Sequence, residues 1–104
     1  MIFSYRSIYF LIILFSFTYS ATSYFSGYVY NQSSEALEGA NIIALDSDGS
    51  KLGVSSDNEG YFQLSLNPGT NYEIVVSFIG YNDYYVSILT NANRSYENQT
   101  IILE

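Results

Sequence analysis

The stretch Tyr61-Phe62-Gln63-Leu64-Ser65-Leu66-Asn67-Pro68-Gly69-Thr70-Asn71-Tyr72-Glu73-Ile74-Val75-Val76-Ser77-Phe78 decides the fold class. Phe62, Leu64 and Leu66 alternate with Gln63 and Ser65, and Tyr72, Ile74, Val76 and Phe78 alternate with Glu73, Val75 and Ser77. A two-residue apolar period is that of a strand with one face against a core. Pro68-Gly69 fits the two central positions of a type II turn, because proline presets the first and glycine accepts the positive φ of the second. Val75 beside Val76 makes the second strand apolar on both faces, which places it centrally in its sheet.

The same pattern extends outward in both directions. Phe25, Gly27 and Val29 share one side of a first strand, with Tyr24, Ser26, Tyr28 and Tyr30 on the other. Ala40, Ile42 and Ala44 form an inward row. Val86 and Ile88 continue the core, and Ile101 and Leu103 close it. Turn clusters recur between these runs: Asn31-Gln32-Ser33-Ser34, Asp46-Ser47-Asp48-Gly49, Asp57-Asn58-Glu59-Gly60, Asn67-Pro68-Gly69, Gly80-Tyr81-Asn82-Asp83 and Asn91-Ala92-Asn93. Aspartate folds its side chain onto nearby backbone and glycine supplies positive φ, so Asp57, Gly60, Pro68, Gly69 and Gly80 read as structural turn residues. Gly27 and Gly39 read as structural too, Gly39-Ala40 as small residues at a close backbone approach. No segment keeps a helical apolar period. Seven strands in two facing sheets, an all-β Greek-key sandwich, is the resulting expectation.

The N-terminus reads differently. Arg6 is the only charge before Glu35, and Ile8-Tyr9-Phe10-Leu11-Ile12-Ile13-Leu14-Phe15-Ser16-Phe17 follows it as an apolar block. Thr18, Ser20, Ala21 and Ser23 supply small residues for cleavage, before Ala21 or as late as before Tyr24. This is the make-up of a secretory signal peptide over residues 1–20, with the domain over 24–104. An uncleaved anchor is the competing reading, and the apolar run is short of the roughly 20 residues a spanning helix needs. The chain has no cysteine, which excludes a lipid-anchored lipoprotein and any disulfide.

The chain carries 3 basic and 10 acidic residues, and loss of the leader would leave Lys51 and Arg94 against all ten acids. Such a surface repels phosphate backbones, so nucleic acid is not expected as a partner. With neither histidine nor cysteine, Ser-His-Asp and Cys-His catalysis and histidine-based zinc sites are excluded. Carboxylate pairs remain. Asp46 with Asp48 and Asp57 with Glu59 are weak calcium candidates, but no bidentate glutamate stands where a calcium loop needs one. They read as solvated acids at hairpin tips rather than as a general acid and base. No enzyme activity, catalytic residue, bound metal or cofactor is therefore expected. Tyrosine is the unusual enrichment, at 12 of 104 residues. Tyr24, Tyr28 and Tyr30 on one strand face, with Tyr84 and Tyr85, are candidate binding residues, because an aromatic ring pairs a large contact area with a polar tip. The ordinary strand preference of tyrosine competes with that reading. Asn31-Gln32-Ser33, Asn93-Arg94-Ser95 and Asn98-Gln99-Thr100 fit the N-glycosylation triplet, which arises by chance in so Asn- and Ser-rich a chain.

Four segments occur in an order that resembles a known family: Phe25-Ser26-Gly27-Tyr28-Val29, Ala36-Leu37-Glu38-Gly39-Ala40-Asn41-Ile42, Ser56-Asp57-Asn58-Glu59-Gly60-Tyr61-Phe62 and Val75-Val76-Ser77-Phe78-Ile79-Gly80-Tyr81. Together they resemble the carboxypeptidase regulatory-like domain, a transthyretin-like seven-stranded sandwich. Ala36 stands where that family usually has proline, and Ser56 where it usually has threonine. Similar domains accompany metallocarboxypeptidases and precede the plug and barrel of TonB-dependent outer-membrane receptors, especially SusC-like glycan importers. The Val76–Tyr81 segment is most similar to the receptor-associated version. The resemblance implies an exported, non-catalytic accessory domain in the periplasm or outer membrane of a Gram-negative bacterium. Its partner would then be the rest of a receptor, with the reading frame continuing past Glu104. The alternative is a complete small secreted module that binds a glycan or protein surface through its tyrosines. On either reading, contact with a membrane comes only through the leader or a missing barrel.

Overall fold

A computed structural model describes residues 22–91 and 95–104. The leader read over residues 1–20 lies outside the described residues, as do residues 92–94 of the last turn. The described residues form β1 (Ser23–Asn31), β2 (Asn41–Asp46), β3 (Lys51–Ser55), β4 (Tyr61–Leu66), β5 (Asn71–Ser77), β6 (Tyr84–Leu89) and β7 (Tyr96–Leu103). A three-stranded sheet runs β4-β1-β7 and a four-stranded sheet runs β3-β2-β5-β6. All pairings are antiparallel except β1 with β7, which is parallel. The expected seven-stranded β-sandwich is the observed one, and β5 lies inside its sheet, between β2 and β6.

The core is the set of inward rows. Phe25, Val29, Ala40, Ile42, Ala44, Phe62, Leu64, Leu66, Tyr72, Ile74, Val76, Ile88, Ile101 and Leu103 are all buried, and Leu37 joins them from the loop after β1. Phe78 and Val86, also expected inside, are only half-buried. Phe78 follows the end of β5, and Val86 belongs to β6, an edge strand with a neighbour on one side only.

Two turn readings change in the structure. Gly27 is not in a turn but in the middle of β1, where a Cβ would overlap the backbone of Gln99 on β7. The β1–β7 register shifts beside it, between Phe25 and Gly27. A side-chain-free position is what allows that approach. Asp57 to Gly60 is not a hairpin tip either, since β3 and β4 belong to different sheets. Ser56 holds the corner instead. Its amide donates to the Ala40 carbonyl at 2.9 Å and its carbonyl accepts from the Gly39 amide at 3.0 Å. Its hydroxyl donates to the Leu37 carbonyl at 2.6 Å and accepts from the Ala40 amide at 2.9 Å. Gly60 then adopts φ +80°, and a Cβ there would lie 2.6 Å from the Val29 carbonyl oxygen. By contrast, Asp46 to Gly49 does form the tip of the β2–β3 hairpin.

Candidate functional site

Strand alternation in β1 sends Phe25 and Val29 into the core and leaves Tyr24, Tyr28 and Tyr30 on the outer face of the three-stranded sheet. Tyr28 and Tyr30, two residues apart on that face, hold their rings nearly parallel, 6.1 Å between centroids and 8° between planes. Across the ladder, Tyr28 is paired with Tyr61 of β4 and with Thr100 of β7. The Tyr28 and Tyr61 rings lie 5.3 Å apart at 59°, a tilted contact of the kind aromatic pairs prefer. Tyr30 is paired with Ile102, whose side chain is half exposed. Tyr28, Tyr30, Tyr61 and Ile102 thus make one aromatic and apolar platform.

Tyr24 is also half-buried on this face, opposite Ser65, and its amide donates to the Ser95 hydroxyl at 3.2 Å. Tyr84 and Tyr85 are elsewhere: they lie on β6 of the other sheet and, as neighbours, point to opposite sides of it. The structure therefore divides the five candidate tyrosines between two sheets. Tyr61 and Ile102 were not singled out from the sequence. Tyr61 shares the outward parity of Gln63, but only the β1–β4 register puts it beside Tyr28.

The acids are occupied with backbone. One Asp46 carboxylate oxygen accepts from the amides of Asp48 at 2.9 Å and Ser50 at 3.0 Å. Asp57 repeats this with the amides of Glu59 at 2.9 Å and Tyr61 at 3.0 Å. Each carboxylate stabilises its own turn. Among the described residues no three acids gather into a possible metal centre. Asn31, in the first glycosylation triplet, uses its side-chain oxygen on the amides of Ser33 and Glu35, and its amide donates to Glu35 at 3.2 Å and to the Tyr81 hydroxyl at 3.4 Å. Tyr81 in turn packs on Phe78, with centroids 5.8 Å apart. Phe78 and Tyr81 of the segment that resembles the receptor version therefore fasten the β5–β6 loop to the end of β1. Ile79 between them is 92% exposed.

Among the described residues, five of the six exposed large apolar side chains, Ile79, Tyr84, Tyr85, Leu89 and Ile102, belong to the β5–β6 loop, β6 or β7; Leu52 is the exception. Tyr84 and Ile102 also line one depression with Glu104. Apolar surface that the core does not use is thus concentrated where the two sheets end in β6 and β7.

Residues 25–104 match the family model of the CarboxypepD_reg-like domain. No curated protein matches the chain. Among solved structures, S.CueP is similar over 83% of this chain and 63% of its own, at 16% identity and a TM-score of 0.62. The 3-chlorocatechol 1,2-dioxygenase of Rhodococcus opacus 1CP is similar over 68% of this chain and 44% of its own, at 12% identity and a TM-score of 0.54. At such identities the likeness is one of fold alone, and the chain spans less than two thirds of either protein.

Proposed function

Because the chain belongs to the CarboxypepD_reg-like domain family, we propose that it is a non-catalytic, exported accessory domain, the periplasmic extension of a TonB-dependent outer-membrane nutrient receptor. Family membership across residues 25–104 is the observation that carries this reading. Two features of the surface support it. The carboxylates of Asp46 and Asp57 are each engaged by two amides of their own turns. Among the described residues, all the exposed large apolar side chains but Leu52 lie in the β5–β6 loop, β6 or β7, as suits a domain that works by contact.

The test is the intact mass of the native product in fractionated cells. A species far heavier than the 104-residue chain, in the outer-membrane fraction and beginning near Ala21, is the expected result. A cytoplasmic species that retains residues 1–20 would overturn export. Hydrolytic activity that survives purification and disappears in Asp57→Asn would overturn the non-catalytic reading.

The tyrosine platform favours a second reading, a small secreted module that binds a glycan. Parallel rings at Tyr28 and Tyr30, flanked by Tyr61, offer flat faces on which sugar rings stack. That reading expects a light soluble species ending at Glu104, and glycan binding that the double change Tyr28→Ala with Tyr30→Ala abolishes. Binding retained in the double variant sinks it.

A further inference from the structure

We propose that β6 is a docking edge for an extended, basic segment of a partner protein, which adds as a further strand to the four-stranded sheet. The proposal begins with the backbone. Just past β6, the Thr90 amide donates to the Thr70 carbonyl at 3.0 Å, and the Thr90 carbonyl accepts from Gly69 at 2.9 Å. Thr90 therefore turns both its groups toward β5. The β5–β6 register runs unbroken from Asn71 with Leu89 to Val76 with Tyr84. By alternation Ile88, Val86 and Tyr84 also face β5, while Leu89, Ser87 and Tyr85 turn their amides and carbonyls to the open edge. The Tyr96 hydroxyl donates to the Leu89 carbonyl at 3.0 Å. The amides of Tyr85, Ser87 and Leu89 and the carbonyls of Tyr85 and Ser87 are left for an incoming strand. Groups repeating at every second residue fit another strand and little else.

Protein edges are normally protected by a charge, a proline or a bulge. β6 reads Tyr84-Tyr85-Val86-Ser87-Ile88-Leu89 and has none of these. Of the other edges, β3 carries Lys51, β7 has Glu97 and an irregular register, and β4, though uncharged, bears no exposed large apolar side chain. On the outer face of β6, Tyr85 is 60% exposed and Leu89 56%.

The side-chain environment names the partner's charge. An open depression of about 510 Å³ lies against β6, lined by Leu45, Asp46, Asn71, Glu73, Ser87 and Leu89 among others. Glu73 faces Ser87 directly across the ladder, and Asp83 immediately precedes the strand. Lys51, the only basic side chain among the described residues, stands on β3 in the same row as Glu73 with Leu45 between them, so a single cation serves Asp46, Glu73 and Asp83 on this sheet and its margins. A lysine or arginine on the added strand opposite Ser87 would lay its stem over Leu89 and bring its charge to Glu73. Apolar residues two places to either side would cover Tyr85 and Leu89. A second copy of this chain is the poorer occupant, since each copy brings ten acids against three basic residues. The proposal does not depend on the chain being part of a receptor, and its surface is distinct from the Tyr28 platform.

The probe is a fluorescent ten-residue synthetic peptide alternating valine with lysine, and its counterpart with glutamate for lysine. They are titrated by anisotropy against the native exported product, with hydrogen exchange followed at β6. The lysine peptide is expected to bind and to slow exchange at the Tyr85, Ser87 and Leu89 amides, while the glutamate peptide does neither. Ser87→Pro removes an outward amide that no ladder bond uses, and should weaken binding about tenfold. Glu73→Gln should weaken it about fivefold at low salt, with the loss fading as salt rises. Gln63→Ala, at an exposed position on β4 of the other sheet, should leave it unchanged. The proposal is overturned by equal binding of the two peptides, by protection elsewhere than β6, or by no binding of the lysine peptide. Self-association that protects the same three amides would also overturn it, in favour of a second copy. Should Ser87→Pro fail to fold, Glu73→Gln and the exchange pattern decide alone.

Discussion

Replacing Ser56 by alanine tests the hinge on which the two sheets turn. Ser56 is buried, and its hydroxyl bridges the Leu37 carbonyl, at 2.6 Å, and the Ala40 amide, at 2.9 Å. The two backbone bonds of Ser56, to Gly39 and Ala40, survive in alanine, so the substitution removes the hydroxyl alone. It leaves a carbonyl and an amide, on residues that are themselves buried, with no partner. Each orphaned group costs about 1–3 kcal/mol, and a site too small for water recovers little of it. A loss of roughly 2–4 kcal/mol is expected, a large share of the roughly 5–15 kcal/mol that stabilises an ordinary domain. For a domain of this size that lowers the melting temperature by about 10 °C or more. Urea and thermal unfolding followed by circular dichroism measure it, with an unchanged urea slope showing that the denatured state is not altered. Ser55→Ala, at an exposed position on the neighbouring strand residue, is the control. If Ser56→Ala moves the midpoint no further than Ser55→Ala, the hydroxyl does not hold the corner and the reasoning fails. Ser56→Thr keeps the hydroxyl and should stay within about 1 kcal/mol of the parent, provided its methyl finds room.

Two further outcomes follow from the packing and the charge. Gly27→Ala would drive a Cβ into the Gln99 backbone, which cannot rotate away as a side chain could, so a loss of about 3 kcal/mol or more is expected in the same unfolding assay. Gly53→Ala on the edge strand β3 meets nothing nearer than 3.6 Å and should change stability by less than about 0.5 kcal/mol; equal losses at the two glycines would refute the contact. Ten acids against three basic residues repel one another in the folded state, so raising salt from about 10 mM to about 100 mM, which shortens the screening length from about 30 Å to about 10 Å, should raise the melting temperature; a fall would show that attractive pairs dominate instead.

Much of the architecture is legible in the chain because a strand's two-residue period is set locally, by backbone geometry. Phe62, Leu64 and Leu66, or Ile42 and Ala44, declare their inward face whatever they pack against. Turn chemistry is equally local: Asp46 and Asp57 cap their own loops with their own carboxylates, and Pro68-Gly69 turns the chain by its backbone preferences. Family resemblance was likewise carried by short segments, each a strand with its turn. β3 is the weak case, because Lys51, Leu52 and Gly53 show no alternation and the strand is recognised only by its pairing with β2.

What the tertiary structure alone decided is which strands are neighbours and which are edges. The parallel pairing of Val29 with Ile101 joins residues far apart in the chain, and no local preference of either residue encodes it. From that choice follow the crowding at Gly27 and the exposure of Ile102 beside Tyr30. The β1–β4 register, set by the same packing, moves Tyr61 against Tyr28 and so assembles the platform. Val86 reads in sequence like any core residue, but it lies half-buried because its strand has a neighbour on one side only. The open edge at Tyr85, Ser87 and Leu89 has the same origin. A side chain's face is determined one strand at a time, whereas a free edge is a property of the whole sheet, settled only when every other strand has found its place.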